Sequence, residues 1–487
     1  MMSSKQANGS LISLLPPEIL SIIIAHAVAD AFDCTPDSAL VVRHPVLQTC
    51  HNWRELGHAT PQIWSSIKLY PHSNRDWSEM LLTSLRRSQT LPLDLHLATH
   101  ANLLRQRMFR PPLPDHEWDA VRDELLASTP RWRRVRVDNI TLPGWLTSRN
   151  HALPLLVSLY LNWQYVQEAD MDISSIRIAS AAPALSYVRL EGVWPRTIHL
   201  LWSRLTHLHA DLDYDHHGID ALRECHSLTS LTLDISAYRD DTDLSFFIDL
   251  PVLRRLTMLR GATWLIVHLR TPQLQKIVLR DGNELAIRTH CRELLRFAEK
   301  KGCEGATITS VEFEAYNDLP DWANLSHLYP SIAHLRFTNY SMDRGDSDLM
   351  HTLGTNPDIF LNLVSLAVPQ LEVMREFDRE GIRGLVDHRV LQASSAGVKL
   401  REIEVKHFFP TRLKEHLDGL RATGVALYAH RPVDMRRPPA ETDLEEGEAW
   451  IVHRRRDTDI SSEDFWRSRD EGNTSVDEEE YTTRGIW

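Results

Sequence analysis

Asp211, Asp213 and Asp215 alternate and run directly into His216 and His217, a spacing that could offer ligands to a metal ion. A calcium loop of this kind needs glycine at its sixth position and glutamate at its twelfth. Here those positions are His216 and Leu222, and no cysteine or histidine nearby has the spacing to complete a zinc set. The stretch reads as a solvated loop. Cys291 and Cys303 flank no second pair, and His290 alone does not complete a site. With 25 histidines in the chain, such partial matches arise by chance. There is no phosphate-cradling Gly-x-x-x-x-Gly-Lys-Ser/Thr loop and no Gly-x-Ser-x-Gly nucleophile elbow. No catalytic residue, metal or cofactor is expected, and the chain reads as non-enzymatic.

The elements around these residues repeat. From Pro130 onward a proline often precedes Leu-x-x-Leu-x-Leu, with other apolar residues allowed. Clear instances are Leu156/Leu159/Leu161, Leu185/Val188/Leu190, Leu228/Leu231/Leu233 and Leu274/Ile277/Leu279. The series opens at Trp132/Val135/Val137 and closes at Leu400/Ile403/Val405, with starts 20 to 37 residues apart. An irregular period centred in the twenties predicts a leucine-rich-repeat solenoid, each unit giving one short parallel strand with its leucines inward. A prelude precedes the repeats. It comprises a helix over 76–88, a strand over 91–97, a second helix over 115–129 and a strand over 131–137.

The leucines are core; the residues between them are the candidates for binding. The central outward row reads Arg136, Tyr160, Arg189, His209, Thr232, Thr257, Val278, Glu312, Arg336, Ala367 and Glu404. Two residues earlier lie Arg134, Tyr187, His207, Arg255, Lys276 and His334; two later lie Asp138, Glu191, Asp211 and Asp234. Basic and acidic columns side by side suit solvated pairing or a mixed protein partner, whereas a groove tracking phosphates shows one sign. The expected cargo-binding residues are Arg136, Tyr160, Tyr187, Arg189, His209 and Arg336.

Ahead of the prelude, Leu15-Pro16-Pro17-Glu18-Ile19-Leu20 opens a helix, with prolines in the first turn and an acid near its positive end. Leu20, Ile23, Ile24 and Ala27 form one apolar stripe, which leaves Ile19 and Ile22 off it. A second helix over about 45–59 carries Val46, Cys50, Trp53 and Gly57 along another stripe. Three short helices cannot bury so much apolar surface, so the surplus meets either a partner or the following domain.

The order of Leu15-Pro16-Pro17-Glu18-Ile19-Leu20, Cys50-His51-Asn52-Trp53-Arg54-Glu55-Leu56 and Thr60-Pro61-Gln62-Ile63-Trp64 resembles an F-box. With the repeats, residues 14 to 430 resemble the F-box proteins with degenerate leucine-rich repeats that are numerous in mushroom-forming fungi. The resemblance implies an α/β protein. A three-helix module over 14–70 precedes a solenoid over 71–430 with a parallel sheet on its concave face. It implies docking to the adaptor of a cullin–RING ubiquitin ligase through Leu15, Pro16, Pro17, Glu18, Ile19, Ile22, Ile23, Leu47, Cys50, Trp53, Leu56 and Trp64. Through that adaptor comes a cullin, and the repeats hold an unknown protein cargo. The other reading is a scaffold repeat protein whose N-terminal helices merely cap the solenoid.

Composition bounds the rest. Residues 441–480 hold 15 acidic and 5 basic side chains of the chain's 66 and 54, leaving 51 against 49 elsewhere. A nearly neutral body predicts neither a nucleic-acid nor a membrane partner. Low apolar content with clustered charge predicts disorder over 431–487, with Trp450, Phe465 and Trp466 as islands, and the polar residues 1–13 are read likewise. Five scattered cysteines, no stretch able to span a membrane and no secretory leader predict a cytoplasmic or nuclear protein.

Overall fold

The computed structural model of the protein describes residues 15–34, 49–69, 77–98, 118–138, 152–162, 176–177, 182–193, 198–212, 216–235, 247–280, 286–299, 305–313, 322–337, 349–356, 358–371, 400–408 and 426–429. The chain divides into two units, 1–432 and 433–487, and every described residue lies in the first. The expectations for 1–13 and for the acidic tail fall outside the described residues.

The architecture is mixed α/β around one large parallel sheet. Its strands in chain order begin with β1 (Ser66–Leu69), β2 (Leu93–Ala98), β3 (Trp132–Asp138) and β4 (Ser158–Asn162). After the short β5 (Ile176–Arg177) come β6 (Tyr187–Glu191), the short β7 (Ile198–His199), β8 (His207–Asp211) and β9 (Ser230–Ile235). The short β10 (Ile248–Asp249) precedes β11 (Arg255–Arg260), the short β12 (Leu269–Arg270) and β13 (Lys276–Arg280). Last among the described strands come β14 (Ser310–Phe313), β15 (His334–Phe337), β16 (Ser365–Leu371), β17 (Glu402–Phe408) and β18 (Ala426–Ala429). Fourteen of these form the sheet, each beside its predecessor; β5 pairs with β7 and β10 with β12 in two small parallel sheets.

Alternation places the sheet. Leu159, Leu161, Val188, Leu190, Leu231, Leu233, Leu256 and Met258 are all buried on one face, in one continuous core. The leucine that opens each motif, such as Leu156, Leu185, Leu205, Leu228 and Leu253, is buried in the turn entering the strand. Burying a side chain of this kind contributes about 1.5–3 kcal/mol, so the repeated triplets dominate stability.

A second regularity pins the strand starts. Nine carbonyls, from Val157 through Ser186, Thr206, Thr229, Arg254, Gln275, Thr309 and Ala333 to Val364, each accept two N–H groups from the start of the next strand, at 2.7–3.2 Å. Hydroxyls reinforce some rungs: Thr229 Oγ1 donates to the Thr206 carbonyl at 2.9 Å and Ser331 Oγ to the Ile308 carbonyl at 2.9 Å. These bonds fix register between neighbours that have no tight turn to set it.

The helices number α1 (Pro17–Cys34), α2 (His51–Ala59), α3 (Pro61–Trp64), α4 (Trp77–Arg87), α5 (Arg122–Ser128), α6 (His216–Arg223), α7 (Ala286–Glu299), α8 (Trp322–Leu328) and α9 (Leu349–Thr355). The helix expected over 115–129 is broken: Trp118 and Asp119 make one turn before α5 begins. Of the helix expected over 45–59, the described part begins at His51, while Val46 and Leu47 lie outside the described residues. The Arg131 guanidinium braces the prelude, donating to the Leu91 carbonyl at 3.0 Å and to Ser88 Oγ at 2.6 Å. Near β15, Trp322 packs edge-on against Phe313, Phe337 and Phe360.

Candidate functional site

Two surfaces carry the residues singled out in the sequence. The first is on α1. Pro17 starts the helix without an orphan donor, Glu18 stands in the first turn, and Leu20 N–H donates to the Pro16 carbonyl at 3.0 Å. Leu20 and Ile24 point inward onto Ile63 and Trp64, with Ala25, Trp53 and Leu56 packed around them. On the other side Leu15, Ile19, Ile22 and Ile23 are 36%, 44%, 55% and 44% exposed. Ile19, Ile22 and Ile23 lie along one side of the helix, and Leu15 stands just ahead of its first turn. Ile23, expected on the buried stripe with Leu20 and Ile24, belongs to this open side instead.

Trp64 corrects the docking set. It is 1% exposed, its indole N–H donates to the Gly57 carbonyl at 2.9 Å, and the Arg87 guanidinium lies 4.5 Å over its ring. A side chain so enclosed anchors the helices to one another and offers nothing to a partner. Pro16, Pro17, Glu18 and Cys50 are exposed, Trp53 and Leu56 half-buried, and Leu47 lies outside the described residues.

The second surface is the other face of the sheet. Register aligns the central row as read from sequence: Arg136, Tyr160, Arg189, His209 and Thr232 are successive partners, and Val278, Glu312, Arg336 and Ala367 continue it. It also extends the row backward through His96 to Lys68, both buried. The alternation of Leu95, His96 and Leu97 carried that signal.

The row is less open than expected. Tyr160 is 9% exposed, and its ring lies between the guanidinium groups of Arg136, at 4.3 Å, and Arg189, at 5.0 Å. Its hydroxyl donates to Glu191 Oε2 at 2.7 Å and accepts from Asn162 Nδ2 at 3.2 Å. Burial and the charges of Asp138 and Glu191 push its ionisation far above the usual range. Tyr160 and His209 were expected to contact cargo, yet both are buried by their neighbours. Long charged side chains on adjacent strands fold over one another and hide the shorter groups between them. Arg136, Tyr187 and Arg189 are half-buried, and Arg336 is exposed.

The acidic row organises this network. Arg136 Nε donates to Asp138 Oδ2 at 2.6 Å and Arg189 Nε to Glu191 Oε1 at 2.7 Å, while Arg260 binds both carboxylate oxygens of Asp234. His96 Nε2 lies 2.6 Å from Asp138 Oδ2. Burial lowers the His96 pKa to about 4, so the neutral ring donates to an ionised Asp138. Burial works against Asp138's charge, but the bond from His96 and the Arg136 charge hold its carboxyl below the usual range. Asp211 differs: burial and the neighbouring Asp234 raise it to about 6, and among the described residues it accepts a long 3.4 Å bond from Gly192 N–H.

His216 and His217, read as part of a loop with Asp211, lie in α6, while 213–215 are outside the described residues. Among the described residues no helix is long and apolar enough to cross a membrane.

No family model matches the chain, and no curated protein matches it. The two surfaces therefore have to be read from their own chemistry.

Proposed function

We propose that the protein is a substrate-recognition subunit of a cullin–RING ubiquitin ligase. In this reading 14–70 is an F-box-like module docking the adaptor, and 71–430 a leucine-rich-repeat-like solenoid holding a protein cargo on its sheet. Ubiquitin transfer belongs to partner subunits, and the setting is cytoplasmic or nuclear. The observation that carries the reading is the open row Leu15, Ile19, Ile22 and Ile23 on a helix whose other side is already buried. Clustered exposed apolar side chains mark interaction surfaces.

The rival reading, a cap on the sheet, has its own support. The cluster of Leu20, Ile24, Ile63 and Trp64 lies immediately before β1, the edge strand, and edges are commonly covered. Capping accounts for the inward residues. It gives no role to four apolar side chains facing away from them.

Co-purification of the full chain with a ligase adaptor tests the proposal. Wild type should bring the adaptor down, and Ile19→Asp with Ile22→Asp should not. An adaptor recovered equally with both proteins, or with neither, would remove the docking assignment.

A further inference from the structure

The two kinds of basic side chain are very unequally used. Of the chain's 54 lysines and arginines, eight are lysines, and residues 6–275 hold one lysine, Lys68, against 24 arginines. That stretch contains the helical module and the first eight strands of the large sheet. Chemically the two cations differ. A lysine amine that has lost its proton is a nucleophile, whereas a guanidinium stays protonated in water. Some of the arginines sit where a lysine is no substitute. Arg136 and Arg189 stack on Tyr160, and Arg260 grips both carboxylate oxygens of Asp234. Others face no such demand. Arg86 on α4 is 69% exposed beside Glu124, and Arg223 on α6 is 44% exposed beside Asp220. Arg204, exposed ahead of β8, donates to the Pro183 carbonyl at 2.8 Å. An ammonium serves such exposed positions as well as a guanidinium does, so pairing alone does not account for the near-absence of lysine. The one exception is enclosed: Lys68, on β1 in register with His96, is 4% exposed.

We propose that residues 6–275 form a stretch refractory to ubiquitin, which spares the ligase-bound receptor while its cargo is modified. The transfer reaction defines what is missing there. A neutral lysine amine attacks the carbonyl carbon of a ubiquitin thioester carried on a partner enzyme's cysteine. The C–N bond forms, the C–S bond breaks, and the departing sulfur takes up the proton that the amine gives up. A guanidinium cannot replace the amine in this step. Lys68 could present its amine only by leaving the fold, and the next lysine in the chain is Lys276 on β13. That side chain is half-buried, with Nζ 3.6 Å from Glu312 Oε2. The inference deepens the proposed function and rests on it, since the chain meets the thioester only when held at a ligase.

The test is a reconstituted reaction of the full chain with adaptor, cullin, RING subunit, activating and carrier enzymes and ubiquitin, in the absence of cargo. Adaptor capture is measured on the same samples, and modified residues are mapped by mass spectrometry of the diglycine remnant. Wild type should carry no remnant within 6–275. The triple variant Arg86→Lys, Arg204→Lys and Arg223→Lys keeps every charge. It should carry the remnant at its new lysines, with total self-modification rising several-fold. Arg86→Lys alone, at a largely exposed position, should be modified there with an unchanged melting temperature, which covers misfolding of the triple variant. With the adaptor captured, a remnant within 6–275 of wild type overturns the inference. New lysines that stay bare overturn it too, because something other than lysine scarcity would then protect the chain. A chain that captures no adaptor sinks the docking proposal, and this inference falls with it.

Discussion

The open side of α1 and the outward face of the sheet are opposite solutions to surface exposure. The helix shows Leu15, Ile19, Ile22 and Ile23 to solvent with no polar partner to satisfy. The sheet shows mostly charge, and much of it is bonded to itself, as Tyr160 is between Arg136, Arg189 and Glu191. An apolar surface gains from being covered by anything of matching shape. A network of paired charges loses its existing bonds when covered, so it selects partners able to replace them. The first surface suits a constant partner and the second a discriminating one.

Trp64 divides the two sides of the helical module, and its removal is expected to have the largest effect. Trp64→Ala deletes a fully buried side chain and its hydrogen bond to Gly57, which should cost about 3–5 kcal/mol of stability, read by chemical denaturation of the full chain. If adaptor capture were lost with stability unchanged, Trp64 would be a contact residue and the division would be wrong. Ile19→Asp with Ile22→Asp should do the reverse. Removing two interface anchors should reduce adaptor affinity about a hundredfold, while stability moves by no more than about 0.5 kcal/mol. A large fall in melting temperature would show that this side packs within the chain.

The strand positions and their register were legible because the triplets return in the same phase at each repeat, which fixes the face every leucine takes, while the repeat period implied parallel strands. One slip of Leu228/Leu231/Leu233 against Leu253/Leu256/Met258 would turn one of the two sets to solvent. The stripe on α1 was ambiguous. Leu20/Ile23/Ile24 and Ile19/Ile22/Ile23 both satisfy helical spacing, and what decides between them is Trp64, forty residues later. Burial of the outward row was not legible either. Alternation gives the face a side chain occupies, but only neighbouring strands decide whether arginines close over Tyr160. The doubled bonds at each strand start involve backbone groups, which leave little trace in residue type beyond Ser186, Thr206, Thr229 and Thr309.

Within the sheet face, two groups test how far the self-paired half depends on its protonation state. His96 has its pKa lowered from 6.5 to about 4 by burial. The unfolded chain therefore binds the proton more readily between these values, and stability contributed by the neutral ring falls as pH drops from 6.5 to 4. The full shift corresponds to about 3–4 kcal/mol. His96→Gln keeps a donor for Asp138 without that titration, so it should flatten the loss of stability measured across this interval. An unchanged pH profile would mean that the ring is charged when bonded to Asp138.

Asp211 should contribute a smaller effect of opposite sign. Burial and Asp234 raise its carboxyl from 3.8 to about 6, so here the folded state holds the proton more tightly than the unfolded chain. Stability then falls as pH rises from about 4 to about 6, and the cost stays constant above that window. The side chain is partly open to solvent, which reduces the full linkage value to about 1 kcal/mol. Asp211→Asn keeps an oxygen to accept from Gly192 N–H and removes the charge facing Asp234. The variant should therefore be more stable than wild type at pH 7 by about 1 kcal/mol, and equal to it at pH 4. Denaturation curves at the two pH values separate the possibilities. A variant less stable at pH 7 would mean that the Asp211 charge is answered by a cation, and the acidic row would then be self-paired along its whole length.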